Sequence, residues 1–223
     1  MSNFLNVMII VEGKTESLFV KNVLAPYMAL KQIYMTAVEV SKPGMKGGDV
    51  KFSRVSQDIA RHLKQRSDIK VSLFVDYYGI DSEWPGLIEG GSLDEKISTL
   101  IEATVESLKE TLPKISLERF IPYFAVHEFE ALLFSDPVKL ASKLKCSKES
   151  IESILEQYKS PEEINNSRTT APSKRLNSLC QTGNFRKTTT GVAVAKDIGI
   201  DKMREECPYF HKWLTVFENL VSV

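Results

Sequence analysis

Residues 4–16, FLNVMIIVEGKTE, place an apolar run directly before a glutamate, a glycine and a lysine. The run Phe4–Val11 is short enough for a strand, and unbroken apolar character is typical of a strand buried on both faces of a parallel sheet. A helical pattern starts at Thr15, with apolar residues on one face: Leu18, Phe19, Val23 and Leu24. This stretch therefore predicts a buried strand that ends at Glu12 and leads into a helix.

The first half of the chain repeats this alternation of strand and helix. Further strands are predicted at Tyr34–Val40, Val71–Val75 and Phe120–Val126, and further helices over 52–63 and 93–112. Such alternation predicts an α/β fold with a mainly parallel sheet of about four strands and flanking helices. After residue 126 the patterns indicate short helices only. We therefore predict an α/β core over residues 1–126 and a helical cap over residues 127–223, packed as one compact unit.

The composition is that of an ordinary globular protein. The chain has 223 residues, 43% of them hydrophobic, and 29 basic residues balance 29 acidic ones. A net charge of zero gives no support for a whole-surface nucleic-acid or membrane binder. No apolar run is long enough to span a bilayer, and the N-terminal run lacks the preceding basic residues of a signal peptide. The widely spaced Cys146, Cys180 and Cys207 favour reduced thiols, so we expect a cytoplasmic protein.

Acidic residues end two of the predicted buried strands. Glu12 follows the first strand, and Asp76 follows Val71–Val75. Ligands of open parallel sheets bind beyond the carboxyl ends of the strands, and two carboxylates there repel each other unless a cation lies between them. Mg²⁺ or Mn²⁺ suits such oxygen ligands. Beside Glu12, Lys14 opens a helix whose free N–H groups can receive an anion. It is equally consistent with the sequence that both carboxylates are solvated or cap helices.

The segment HEFE, residues 127–130, carries the next candidate groups. His127 and Glu130 are three residues apart and would share one face of a helix. They could complete a metal site or act as acid and base. Glu128 and Glu130 both remain candidate ligands, because the phase of the helix is not fixed by the sequence. The alternative is a buried His–Glu pair that holds the corner between strand and helix.

Basic residues near predicted loops are candidate phosphate ligands. Lys174 and Arg175 stand at a helix start in the segment APSKR, and Arg186 and Lys187 would extend this patch. In that segment, capping of the helix by Ser173 is an equal alternative. Lys46 lies in the glycine-rich loop 41–49, for which simple solvation is favoured over phosphate contact.

Three aromatic residues lie in the long loop that follows Asp76: Tyr77, Tyr78 and Trp84. Aromatic side chains in such a loop could stack on nucleobases. They could equally contact a partner protein.

The segment VEGKTE, Val11–Glu16, resembles the first motif of the TOPRIM fold, which occurs in topoisomerases, primases, OLD-family nucleases and recombination-repair proteins. The glutamate of that motif is matched by Glu12. The second motif, Asp-x-Asp, is matched by Asp76 but has Tyr78 in place of its second aspartate. The resemblance implies a TOPRIM-like fold with a weakened or relocated metal centre.

Nearly the whole chain resembles a bacterial family of unknown function related to the RloB proteins, encoded next to AAA-type or ABC-type ATPases in phage-defence loci. The matching segments are VEGKTE, KGG, DYYG, RFIPYFAVHEFEALLFSD, SPEEIN, APSKR and CPYFHKWL. The chain has no P-loop pattern, so the resemblance implies that any ATPase partner is a separate chain. A homo-oligomer would be unsurprising for a defence component.

Two hypotheses of function follow. The first is a Mg²⁺-dependent nuclease of anti-phage defence, in which a metal bridges nucleophile and phosphate. Glu12 would be base or metal ligand, Asp76 a metal ligand, and His127 with Glu128 or Glu130 would complete the site. The second is a non-catalytic subunit that binds or restrains the ATPase. Tyr78 favours the second hypothesis, whereas the pair of strand-end carboxylates favours the first.

Overall fold

The computed structural model describes residues 4–40, 50–164, 170–181 and 183–221. Its sheet has four parallel strands in the order β2-β1-β3-β4. The strands are β1 (Leu5–Val11), β2 (Ile33–Glu39), β3 (Ile69–Asp76) and β4 (Phe120–Ala125). The predicted α/β class, the sheet of four strands and the helical second half are confirmed. Pro122 lies in the edge strand β4, where a missing N–H is tolerated.

The connections between strands are helical. They contain α1 (Lys14–Phe19), α2 (Ala25–Ala29), α3 (Phe52–Gln65), α4 (Leu93–Leu108) and α5 (Lys114–Leu117). A π-helical turn, Val20–Leu24, joins α1 to α2. Helix α4 begins at a capping box, in which the Ser92 side chain accepts from Glu95 N–H and the Glu95 carboxylate accepts from Ser92 N–H. The predicted loop site Lys46 lies outside the described residues.

The second half is built from short helices that begin with a 3-10 helix, Phe129–Ser135. The α-helices that follow are α6 (Pro137–Leu144), α7 (Lys148–Leu155), α8 (Pro172–Leu179), α9 (Val192–Ile198), α10 (Ile200–Glu206) and α11 (Pro208–Val221). A second 3-10 helix, Pro161–Glu163, and a π-helical turn, Lys187–Gly191, lie among them. No helix in the described residues is long and apolar enough to cross a bilayer.

The strand register sets the functional edge of the sheet. Val11 pairs with Glu39 on one side and with Phe74 on the other, and Asp76 pairs with Ala125. The carboxyl ends of the central strands β1 and β3 and of the edge strand β4 therefore meet at one edge.

Side chains alternate between the two faces of the sheet and feed two hydrophobic clusters. Ile9 and Val11 of β1 belong to the cluster that includes α9, α10 and α11, whereas Ile10 belongs to the cluster with α3 and α4. The first cluster runs from Val7 to Phe217, so helices of the second half pack directly on the sheet. The boundary at residue 126 stays a prediction.

Helix α11 docks on the sheet through both apolar and polar contacts. Trp213 stacks on Tyr123 with ring centroids 4.5 Å apart, and its Nε1 donates to Ser72 Oγ at 3.0 Å. The buried Glu162 carboxylate accepts from the N–H groups of Tyr209 at 2.8 Å and Phe210 at 3.0 Å. Free N–H groups at the start of a helix need such an acceptor, so Glu162 fixes where α11 begins.

Truncating Phe217, which is fully buried on α11, should destabilise the whole fold. We expect Phe217→Ala to lower the free energy of unfolding by about 3–5 kcal/mol through lost apolar contact and a residual cavity. Urea unfolding followed by circular dichroism measures this. Val216→Ala on the same helix is the control, because Val216 is 43% exposed and should change stability by less than about 0.5 kcal/mol. Equal effects of the two changes would contradict this docking of α11.

Candidate functional site

The two carboxylates at the ends of β1 and β3 face the same point of the backbone. A Cβ atom on Gly79 would lie 3.4 Å from Glu12 Oε2 and 3.6 Å from Asp76 Cγ. Gly79 ends the 3-10 turn Tyr77–Gly79, whose N–H at Tyr78 donates to Asp76 Oδ1 at 2.9 Å. The structure thus brings Glu12 and Asp76 together, and any side chain at position 79 would crowd them.

A second pair of carboxylates is joined by a lysine from far along the chain. Lys187 Nζ lies 3.0 Å from Glu128 Oε1 and 3.2 Å from Glu130 Oε2. Glu128 Oε2 also accepts from Ser173 N–H at 2.9 Å, in the first turn of α8. Glu128 therefore connects three segments: the end of β4, the start of α8 and the π-helical turn that begins at Lys187.

These two pairs belong to one electrostatic cluster, which also includes Glu16. The charges of Glu12 and Glu128 both act on Asp76, and the charge of Glu128 acts on Glu16. Lys187 acts on Asp76, Glu16, Glu128 and Glu130. We call the six residues the acidic cluster: Glu12, Glu16, Asp76, Glu128, Glu130 and Lys187.

Burial and mutual repulsion disturb the protonation of this cluster. Burial, with the charges of Glu128 and Glu12, raises the pKa of Asp76 to about 7. Burial likewise raises the pKa of Glu130 to about 7, against the opposing charge of Lys187. Burial also raises the pKa of Glu16. For Glu128 burial is outweighed by hydrogen bonds from Ser173 and by the charge of Lys187, so its pKa is lowered.

The donor set of the acidic cluster fits a hard divalent cation. Carboxylate oxygens are the ligands that Mg²⁺ and Mn²⁺ prefer. Glu130 is 1% exposed, and its Oε1 has no hydrogen-bond partner, which is uncommon for a buried oxygen. Within the described residues, no three His, Cys, Asp or Glu side chains already stand at metal-ligand spacing. The ammonium of Lys187 supplies the positive charge beside Glu128 and Glu130.

His127 does not join the acidic residues in the way the sequence predicted. The prediction that His127 and Glu130 share a helical face is wrong, because His127 lies in a bend before the helix, which begins only at Phe129. The His127 ring instead stacks on Tyr78 with centroids 4.9 Å apart and an interplanar angle of 4°. Burial lowers its pKa to about 4, so the ring is neutral at physiological pH.

The predicted phosphate ligands are spread out rather than gathered. Arg175 donates to Thr170 O at 2.7 Å and to Tyr158 Oη at 3.0 Å, so its guanidinium helps to hold the start of α8. Lys174 and Lys14 have exposed side chains at the starts of α8 and α1.

Two members of the cluster were not assigned to the site from the sequence. Glu16 stands four residues after Glu12, a spacing that brings side chains together when the chain turns into a helix, so it carried a usable signal. Lys187 was predicted only as an extension of the phosphate patch, and its pairing with Glu130 carried no local signal, since 57 residues separate the two.

The family to which the chain belongs follows from its sequence. A family model described as "Domain of unknown function (DUF4276)" matches residues 11–218. The chain belongs to this family. No curated protein matches it. Among solved structures it is similar to the C-terminal region of the Burkholderia pseudomallei OLD protein, with 15% identity and a TM-score of 0.45 over 98% of this chain and 99% of that chain. For the same region of the Xanthomonas campestris pv. campestris OLD protein, identity is 11% and the TM-score 0.37 over 96% of this chain and 97% of that chain.

The raised pKa of Asp76 predicts a pH-dependent gain in stability for Asp76→Asn. The folded state holds the Asp76 proton up to about pH 7, whereas the unfolded chain releases it near its ordinary pKa of 3.8. The folded state therefore binds more protons in this window, and wild-type stability falls as the pH rises through it. Asparagine carries no proton to lose and can still accept from Tyr78 N–H. We expect its melting temperature to exceed that of wild type increasingly from about pH 4 to about pH 7, and the difference to level off above pH 7, in EDTA.

The matched control for this pH series is Asp68→Asn. Asp68 is exposed and pairs with Arg66, whose hydrogen bonds lower the pKa of the carboxyl. Its carboxylate is thus ionised in both states across the whole range, and the difference from wild type should be constant. A constant difference for Asp76→Asn as well would show that the Asp76 carboxyl ionises normally.

Proposed function

We propose that this protein is a divalent-metal-dependent nuclease that cleaves nucleic-acid phosphodiesters. The observation that carries the proposal is the meeting of Glu12 and Asp76 at the carboxyl edge of the sheet. Lys187, which pairs with Glu128 and Glu130, acts electrostatically on Asp76 and Glu16 there. Partly protonated acids packed together destabilise a fold, and perturbed acids in such places mark functional sites. The TOPRIM-like motif VEGKTE, with Glu12 at the end of β1, supports the same assignment.

Glu12, Glu16 and Asp76 would hold the metal, most simply Mg²⁺ or Mn²⁺. Their carboxylates come from the end of β1, the first turn of α1 and the end of β3. A bound divalent cation would polarise a phosphoryl oxygen and lower the pKa of a bound water. The charge of a bound cation would lower the pKa of Asp76 from about 7, so Asp76 would act as a metal ligand rather than as a base. We propose Glu12 as the base that accepts a proton from the attacking water.

Lys187 is suited to hold the substrate phosphate. A lysine ammonium has three N–H donors, and Glu128 and Glu130 take two of those of Lys187. The third donor is left for a phosphate oxygen beside the carboxylates. Because the side chain of Lys187 is 42% exposed, a substrate can reach it. The exposed Lys14 and Lys174 would contact more distant phosphates.

A role in anti-phage defence beside a separate AAA-type or ABC-type ATPase is proposed on the resemblance in sequence alone. The second candidate function, a non-catalytic subunit that binds such an ATPase, is favoured by one observation. Lys187 already pairs with Glu128 and Glu130, as in a structural ion pair. Metal binding distinguishes the two functions.

We expect Mn²⁺ to bind and stabilise the wild-type protein. At a concentration of roughly 100 times its Kd, a ligand that binds only the folded state adds about 2.7 kcal/mol to the free energy of unfolding. Isothermal calorimetry and melting curves at about pH 7.5 measure this without any assay of activity. Glu12→Gln should remove the heat and the stabilisation, whereas Glu106→Gln, which changes an exposed carboxylate paired with Lys109, should retain both. A folded wild type that binds no Mn²⁺ would favour the ATPase-binding subunit.

Lys187→Met should separate metal binding from cleavage. Removing a positive charge from among the carboxylates should tighten Mn²⁺ binding by roughly tenfold, whereas losing the phosphate donor should slow cleavage by at least about tenfold. The measurements are calorimetry and Mn²⁺-dependent cleavage of labelled DNA and RNA. The control is Lys143→Met, which removes a surface lysine paired with Asp197. Unchanged cleavage by Lys187→Met would exclude Lys187 as a phosphate ligand.

A further inference from the structure

A polar cleft of about 430 Å³ opens beside the acidic cluster. Its lining includes Tyr78 and His127 from the carboxyl edge of the sheet, and Lys96 and Lys159 from the surrounding helices and loops. We propose that this cleft binds an unpaired nucleotide of a nucleic-acid strand, with the Tyr78 ring as the platform on which its base stacks. The proposal rests on the nuclease function and narrows its substrate to strands with unpaired bases.

Of the three aromatic residues in this loop, only Tyr78 has a largely exposed ring. Tyr77 is 5% exposed, and Trp84 is 2% exposed with its Nε1 donating to Thr104 Oγ1 at 2.9 Å. Both are therefore part of the core, whereas Tyr78 is 49% exposed. A half-exposed aromatic ring on a cleft wall is the usual element of single-strand recognition, because every base has a flat face to stack.

The Tyr78 ring is held in place before any ligand arrives. His127 covers one face at a centroid distance of 4.9 Å and an angle of 4°, and Tyr77 packs edge-on at 4.9 Å and 83°. The exposed part of the ring is thus the opposite face and the rim. His127 is itself buried at 6% exposure, so it cannot swing away readily. A ring fixed in this way loses little freedom when a base stacks on it.

The charges around the cleft favour recognition of a base over attraction to the backbone. Lys96 and Lys159 lie on its lining together with Asp94 and Glu163, so the two signs balance. Asp94 Oδ1 already accepts from Tyr209 Oη at 2.8 Å. The lysines can each meet a flanking phosphate, but they provide no broad positive surface. Stacking on Tyr78 must then carry a large part of the affinity.

The position of Tyr78 connects this cleft to the acidic cluster. Its backbone N–H donates to Asp76 Oδ1 at 2.9 Å, so the ring and the carboxylate belong to the same short turn. A base stacked on Tyr78 would set its neighbouring phosphodiester beside Asp76 and Lys187. Duplex DNA keeps its bases stacked on one another, and it would have to release one base before using this platform.

The test is a binding titration in EDTA, so that no cleavage interferes. A fluorescein-labelled single strand of about twelve nucleotides, as DNA and as RNA, and the matching duplex are titrated by anisotropy. Tyr78→Ala should weaken single-strand binding by about 5- to 150-fold. Tyr78→Phe, which keeps the ring, should stay within about threefold of wild type, and duplex should bind more weakly than single strand.

Tyr34→Ala is the matched control. Tyr34 is 44% exposed, close to the 49% of Tyr78, but it lies on β2 and outside the cleft lining. A 2-aminopurine base in the strand gives a direct readout, since stacking quenches its fluorescence and Tyr78→Ala should abolish the quenching. Single-strand affinity and quenching unaffected by Tyr78→Ala, in a variant that melts like wild type, would overturn the proposal.

Cleavage with Mn²⁺ is measured on the same strands, so that failure of the proposed nuclease function can be distinguished from failure of the proposed nucleotide site. If binding depends on Tyr78 but no divalent metal supports cleavage, the nuclease function is excluded and the nucleotide site is retained. Metal-dependent cleavage with a KM that Tyr78→Ala leaves unchanged keeps the nuclease and removes the stacking platform.

Discussion

The ammonium group of Lys187 is the counter-charge on which the carboxyl edge of the sheet depends. It lies 3.0 Å from Glu128 Oε1 and 3.2 Å from Glu130 Oε2. Burial raises the pKa values of Asp76 and Glu16, and the charge of Lys187 opposes that rise at both. Removing one partner from such a group leaves charge that neither water nor protein compensates. The acidic cluster contains more carboxyl groups than one lysine can neutralise, and two of them, Asp76 and Glu130, have pKa values near 7.

The same kind of interaction holds the helical half in place. Glu128 accepts from the first turn of α8, and Glu162 accepts from the first turn of α11. Both carboxylates meet the positive end of a helix dipole, which favours their ionised form. Glu162 is nonetheless so deeply buried that its pKa is raised to about 7. Acidic side chains at the starts of α8 and α11 thus help to orient both helices, and Glu128 serves the fold and the site at once.

The sequence was most informative where a signal is local. Apolar runs predicted all four strands, and the residues that follow them predicted that Glu12 and Asp76 would meet, because parallel strands end at one edge. Glu128 was a candidate for the same reason. The direction of the His127 ring was not predictable, since it depends on where the helix after β4 begins, and His127 lies two residues before that start. Lys187 was a candidate phosphate ligand, but its contact with Glu128 was not predictable, because only the folded chain brings the two together across 59 residues.

Position 78 shows how the site differs from the two-aspartate pattern that its sequence resembles. The Tyr78 side chain stacks on His127 and lines the neighbouring cleft, so it stands beside the acidic cluster rather than within it. Glu16, Glu128 and Glu130 supply negative charge there from other segments. A further carboxylate would add repulsion to a cluster in which Asp76 and Glu130 are already half protonated near pH 7. An uncharged aromatic ring at this position therefore avoids an electrostatic penalty, and it places a flat apolar surface next to the carboxylates.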